Sequence, residues 1–189
     1  MITSSSFLIF QDLCTDALPN SKYGFVNATL SYADGTGVSS VNALQYAIFR
    51  NFSANVPAPT FNAMASLSSG TARRSFDSGY VNPDGTGYSD TNNKAFAPLS
   101  FTSQHGGGLP SKDECPKGAP NVYDSVRLSI SLRAPSNALG ISFRSRFYTA
   151  EYPEWICTQF NDFFLVLLYS INYNYIIPFD KVFLELSHS

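Results

Sequence analysis

The sequence predicts an all-β protein, an antiparallel β-sandwich of jelly-roll type, with long loops and at most one or two short helices. Three observations carry this expectation. Apolar and polar residues alternate along several segments, most cleanly from Asp124 to Arg133, and period two places one set on each face of a strand. Turn sequences rich in Gly, Pro, Asn and Asp separate those segments. Aromatic residues reach 15% while charged residues stay at 14%, a balance that suits strands better than helices.

The elements follow in chain order. Lys22 to Tyr32 alternates and ends at Ala33-Asp34-Gly35, which reads as a strand and a tight turn. Val41, Leu44, Ile48 and Phe52 recur at helical spacing, with Asn42, Gln45 and Asn51 on the polar side. That pattern predicts a short amphipathic helix bounded by Pro57 and Pro59. Met64 to Ala72 reads as a short strand, and Arg73 to Asn121 as one long loop region.

In Asp124 to Arg133, Val126, Leu128, Ile130 and Leu132 share a face, and Ser125, Arg127, Ser129, Ser131 and Arg133 share the other. Ala134-Pro135-Ser136-Asn137 is a turn. Ile141, Phe143, Ser145 and Phe147 predict the next strand. Phe163 to Tyr169 is an uncharged seven-residue run of the length of a buried strand. Ile171, Tyr173, Tyr175 and Ile177 alternate, and Lys181 to Leu186 reads as a last strand.

At 189 residues the chain has room for one domain with a substantial core. The division expected is an N-terminal extension over 1–22, a β-sandwich domain over 23–170 and atypical C-terminal strands over 171–189. A net charge of −2 gives no footprint for nucleic acid. The longest uncharged apolar run has seven residues, against about 20 for a membrane-spanning helix. The segment MITSSSFLIFQ lacks the basic and apolar regions of a complete signal peptide. The chain is therefore expected to be a fragment whose export signal lies upstream or was removed.

Cys14, Cys115 and Cys157 are the three cysteines. Their spacing and the two histidines, His105 and His188, fit neither a zinc site nor a catalytic thiol. In an oxidising compartment the natural count is one pair and one leftover thiol. Cys115, in a Pro/Gly-rich loop, and Cys157, beside an acidic-aromatic passage, are the favoured pair, with Cys14 left over.

That passage, Tyr148 to Asp162, holds the candidate site. Glu151, Glu154, Asn161 and Asp162 offer the oxygen ligands that a hard cation such as Ca²⁺ takes at the loop ends of β-sandwiches. The structural alternative has Asn161 and Asp162 capping a turn while Glu151 or Glu154 pairs with Arg144 or Arg146. A catalytic carboxylate pair is the third reading, and needs a sugar cleft of defined width. Tyr148, Tyr152 and Trp155 offer flat faces for sugar rings, or else pack as core. Asp84, Asp90, Asn92 and Asn93 in Pro83 to Asn93 do not follow the EF-hand pattern, so that segment reads as an ordinary loop. His105-Gly106-Gly107-Gly108 lacks the G-x-S-x-G partner of an esterase and reads as a flexible loop. Asn27-Ala28-Thr29 and Asn51-Phe52-Ser53 match the glycosylation sequon.

Glu151 to Phe164, EYPEWICTQFNDFF, resembles the signature of the bacterial choice-of-anchor L domain. Leu67 to Arg73, Asp77 to Tyr80, Glu114 to Pro116 and Tyr123 to Ala138 are similar to one branch of that family. Ala150 stands where many members have a second acid, and the sequence after Tyr169 is only loosely like theirs. The resemblance covers roughly Tyr23 to Ser170. It implies a secreted or surface-displayed bacterial module without a defined enzymatic activity. The expected function is binding or adhesion to a surface protein or glycan. A carbohydrate-binding or glycosidase-like domain and a structural spacer are the alternatives. No nucleic-acid partner and no transmembrane segment are expected.

Overall fold

The computed structural model of the chain describes residues 23–53, 56–57, 63–82, 94–111, 115–116, 118–139, 145–149, 157–158, 162–170 and 173–178. The expected extension over 1–22, the Pro83 to Asn93 loop and the expected strand from Lys181 to Leu186 lie outside them. Among the described residues the fold is mainly β, with one short α-helix and five two-stranded antiparallel sheets. Two compact units emerge: one from residues up to Phe96 together with Asn121–Gly140, the other from Ala97–Pro120 together with Ile141 onward.

In the first unit, β1 (Gly24–Ser31) pairs with β8 (Arg127–Arg133). Leu30 faces Leu128, Ala28 faces Ile130 and Phe25 faces Leu132, with a register shift between Phe25 and Asn27. Directly opposed residues share a face, so the apolar row expected from alternation is formed. It is not deeply buried: Ile130 and Leu132 each remain 39% exposed.

The turn after β1 is built by Asp34. Its Oδ1 accepts from the Thr36 amide (2.9 Å) and hydroxyl (2.6 Å), and Oδ2 accepts from the Phe96 amide (3.2 Å). Gly37, at φ 62°, completes the turn, and a Cβ there would collide with the Tyr32 ring. One carboxylate thus fixes a local turn and anchors β6 (Lys94–Phe96), which pairs with β7 (Asn121–Tyr123). β6 falls within the stretch expected to be loop, and β7 begins at its last residue.

The amphipathic helix expected over Val41 to Phe52 does not form. Asn42 accepts from the Leu44 amide (2.9 Å) and starts only a 3₁₀ turn, Ala43–Gln45. β2 (Tyr46–Phe49) follows and pairs with β5 (Met64–Leu67). β3 (Asn51–Ser53) then pairs with β4 (Val56–Pro57). The aromatic and branched residues of Tyr-Ala-Ile-Phe favour a strand. Burial there has period two: Ala47 and Phe49 are buried, while Tyr46 and Ile48 are partly exposed. Ala47, Phe49 and Ala72 form a small core against which Met64 packs.

Gln45, expected on a polar face, is fully buried. Its Nε2 donates to the Asp124 carbonyl (2.7 Å) and to the Ser68 carbonyl (3.4 Å). Beside it, Arg73 caps three carbonyls: Nη1 donates to Tyr46 (3.2 Å) and Ala72 (2.7 Å), and Nη2 to Ala43 (2.9 Å). A guanidinium supplies donors to backbone carbonyls, which are acceptors that need partners when taken from water.

In the second unit, α1 (Leu99–Thr102) runs into a 3₁₀ turn, Ser103–His105. Gly106 stops it in the left-handed conformation (φ 71°), and the Gly107 amide donates back to the Thr102 carbonyl (2.8 Å). His105 Nδ1 lies 2.8 Å from the Phe101 carbonyl, so that nitrogen donates, and its ring lies 4.3 Å from that of Phe101. The His-Gly-Gly-Gly string is thus a helix stop in place of the expected flexible loop. β9 (Leu167–Ser170) pairs with β10 (Tyr173–Pro178).

The seven-residue buried strand expected at Phe163 to Tyr169 is corrected. Only its last residues enter β9, and Phe164 (38%) and Tyr169 (52%) are exposed. Residues 145–149 carry no strand, so the described part of the strand expected from Ile141 to Phe147 is irregular.

Candidate functional site

The acidic-aromatic passage is approached from both ends by described residues. Thr149 Oγ1 donates to Asp162 Oδ2 at 2.9 Å. The rings of Phe147 and Phe164 stack with centroids 6.3 Å apart and planes 24° apart. The two contacts share one register, because moving back two residues from Thr149 matches moving forward two from Asp162. Residues 147–149 and 162–164 therefore run antiparallel as side-by-side segments, with 150–161 joining them.

Tyr148, between the two contact residues, is 47% exposed. The neck places Phe147 and Thr149 against their partners. Asp162, expected as a metal ligand or turn cap, is partly buried and serves here as the acceptor for Thr149.

Cys115 and Cys157 are joined by a disulfide, with Cα atoms 4.8 Å apart. This bond ties the passage to the loop after α1. Ser111 Oγ donates to the Cys115 carbonyl at 3.2 Å and holds that end. Cys157 adopts φ 63°, an uncommon backbone conformation for a residue other than Gly. The Tyr169 and Ser100 hydroxyls lie 3.4 Å apart, linking β9 to α1.

Of the remaining expected ligands, Glu151, Glu154 and Asn161 lie outside the described residues, as do Tyr152 and Trp155. The structure therefore places Tyr148 and Asp162 at the same neck. Arg146, a proposed partner for the two glutamates, is exposed. Among the described residues no group of three His, Cys, Asp or Glu side chains could hold a metal ion. No helix among them is long and apolar enough to cross a membrane.

Sequence reasoning did not assign Phe147, Thr149 and Phe164 to the site. Alternation puts Phe147 on a strand face with Ile141, and the apolar run from Phe163 to Tyr169 includes Phe164. The signal that could have found them is pairing across the passage, which becomes visible only once the two segments are known to run side by side. Comparison with protein-family models, with curated proteins and with solved structures returns no match to this chain.

Proposed function

We propose that this chain is an exported, non-enzymatic binding module, built as an antiparallel β-sandwich and displayed on or released from a bacterial surface. The observation that carries this reading is the neck: Thr149 on Asp162 and Phe147 on Phe164 gather the ends of the acidic-aromatic passage, with Tyr148 47% exposed between them. A half-exposed aromatic beside polar groups suits a sugar ring or a protein surface. Tyr152 and Trp155 extend the aromatic set. Glu151, Glu154, Asn161 and Asp162 organise the passage around Ca²⁺.

The disulfide supports export, because such bonds persist in oxidising compartments. The similarity of Glu151 to Phe164 to the choice-of-anchor L signature supports the bacterial surface. Binding to a glycan array, wild type against Tyr148→Ala, tests the reading directly. The expected result is retention of a defined glycan set by the wild type and its loss in the variant, with unchanged melting. Equal signals from both proteins would remove Tyr148 from the ligand surface. Calcium is tested separately by thermal melting with and without chelator, since a ligand that binds only the folded state raises its melting temperature. A melting point indifferent to chelator rules the ion out.

A further inference from the structure

The first unit contains an open cleft of about 450 Å³ lined by Tyr46, Phe49, Arg73, Arg74, Asp77 and Ser78 among others. Small-molecule sites fall in roughly the 300–1,000 Å³ range, so one ring-sized molecule fits. The two arginines differ in their state. Arg74 is matched by Asp77, with Nε and Nη2 each 3.1 Å from a carboxylate oxygen, and the Asp77 carboxylate also accepts from the Arg74 amide (2.9 Å). The pair holds Arg74 above its usual pKa and Asp77 below its own. The Arg74 guanidinium also lies over the rings of Phe76 (4.6 Å) and Phe49 (5.7 Å).

Arg73 has no such match. Its three hydrogen bonds all go to neutral carbonyls, whereas Arg74 forms a salt bridge with Asp77. Carbonyls fix the guanidinium in place without cancelling its charge. They also take three of its five N–H donors and leave two. Among the described lining residues, Arg73, Arg74 and Asp77 leave the cleft one net positive charge beside aromatic and aliphatic walls.

The geometry points to a binding site for a small ring-bearing carboxylate. The anion would meet the remaining Arg73 donors, which match a planar carboxylate better than a spherical cation would. The ring would lie along Tyr46 and Ile48, and Ser78 would supply a further hydrogen bond. Two ligand sources share this chemistry: a hexuronic acid at the end of a glycan, and an aromatic acid.

The test is calorimetric titration of the intact chain with glucuronate and with benzoate, at fixed ionic strength. Glucose, benzyl alcohol and inorganic phosphate are the controls. At least one of the two acids should bind saturably, about tenfold tighter than its neutral counterpart, because a charge-assisted hydrogen bond is lost with the charge. Which acid binds identifies the source. Arg73→Gln should abolish the preference, but it also removes carbonyl caps. Ser78→Glu is the second variant: it cancels the net charge at an exposed position and leaves the Arg73 bonds intact. It should lose the acid while keeping the wild-type melting temperature. No saturable binding of either acid, binding equal to the neutral control, tighter binding of phosphate, or an acid affinity unchanged in Ser78→Glu would each overturn the assignment.

Discussion

Gln45 has the largest side chain with no exposure to solvent among the described residues, and its amide spans the 3₁₀ turn, the Ser68 carbonyl and the Asp124 carbonyl. Gln45→Leu keeps the volume and removes the donor. Losing the donor to a buried carbonyl costs about 1–3 kcal/mol, or roughly 2–12 °C in melting temperature for a chain of this size. Denaturant titration of the variant should show that loss with an unchanged m-value. Asp34 makes a second prediction. Burial disfavours its charged form, but the Thr36 hydroxyl and the Thr36 and Phe96 amides outweigh that and hold its pKa below the usual carboxylate value. A depressed pKa contributes stability that is complete above the unfolded value, about 4, and is lost as pH falls through the folded value. Melting temperature followed downward from about pH 6 should therefore fall more steeply below about pH 4 in the wild type than in Asp34→Asn. Parallel curves would show that these bonds do not favour the charged form. The turn role of Asp34 was legible from Ala-Asp-Gly. Its reach to Phe96 was not, because a contact across 62 positions leaves no local mark.

At the scale of elements, the decisive segment is Tyr46–Phe49. Its apolar residues satisfy a helical spacing when counted with Val41 and Leu44, and a strand spacing when counted with each other. Tertiary pairing with Met64–Leu67 selects the strand. The two patterns predict different costs. On a helix, Ile48 would face the core with Leu44; on the strand, Phe49 is buried at 5% exposure and Ile48 is not. Phe49→Ala should cost about 3–5 kcal/mol, and Ile48→Ala distinctly less, as large-to-small changes scale with burial and the cavity left. Equal losses in denaturant titration would contradict the strand geometry. The same physics explains what was legible elsewhere. β1, β8 and the turn expected at Ala134 to Asn137, closed one residue later by the Ala138 amide on the Pro135 carbonyl, were readable because alternation and turn chemistry are local signals. β6, β7 and α1 were not, since each is only three or four residues long and is held by partners distant in sequence.

For the molecule as a whole, the buried apolar residues described are few and mostly alanines: Ala47, Ala63, Ala72, Ala95 and Ala97, with Val41, Phe49 and Leu109. Large aromatics such as Phe76, Tyr148 and Tyr169 are instead exposed. Small side chains contribute little transfer free energy, so covalent constraint gains weight, most of all in the second unit. The Cys115–Cys157 bond closes a loop with a sequence separation of 42. Loop-closure entropy for that length is worth about 4 kcal/mol at 25 °C, a large share of a stability of roughly 5–15 kcal/mol. Paired Cys115→Ala and Cys157→Ala substitutions should therefore lower stability by up to that amount. Hydrogen exchange locates the effect. The Gly107 amide, bonded to Thr102, and the Leu109 amide, bonded to the Gly118 carbonyl, should lose protection in the variant. The β1–β8 amides of the first unit serve as the internal reference. A uniform fall in both sets would mean that the bond stabilises the chain as one cooperative body. A fall confined to the first set would mean that it acts on the unit holding the neck, where a lost constraint should also weaken any ligand that meets Tyr148.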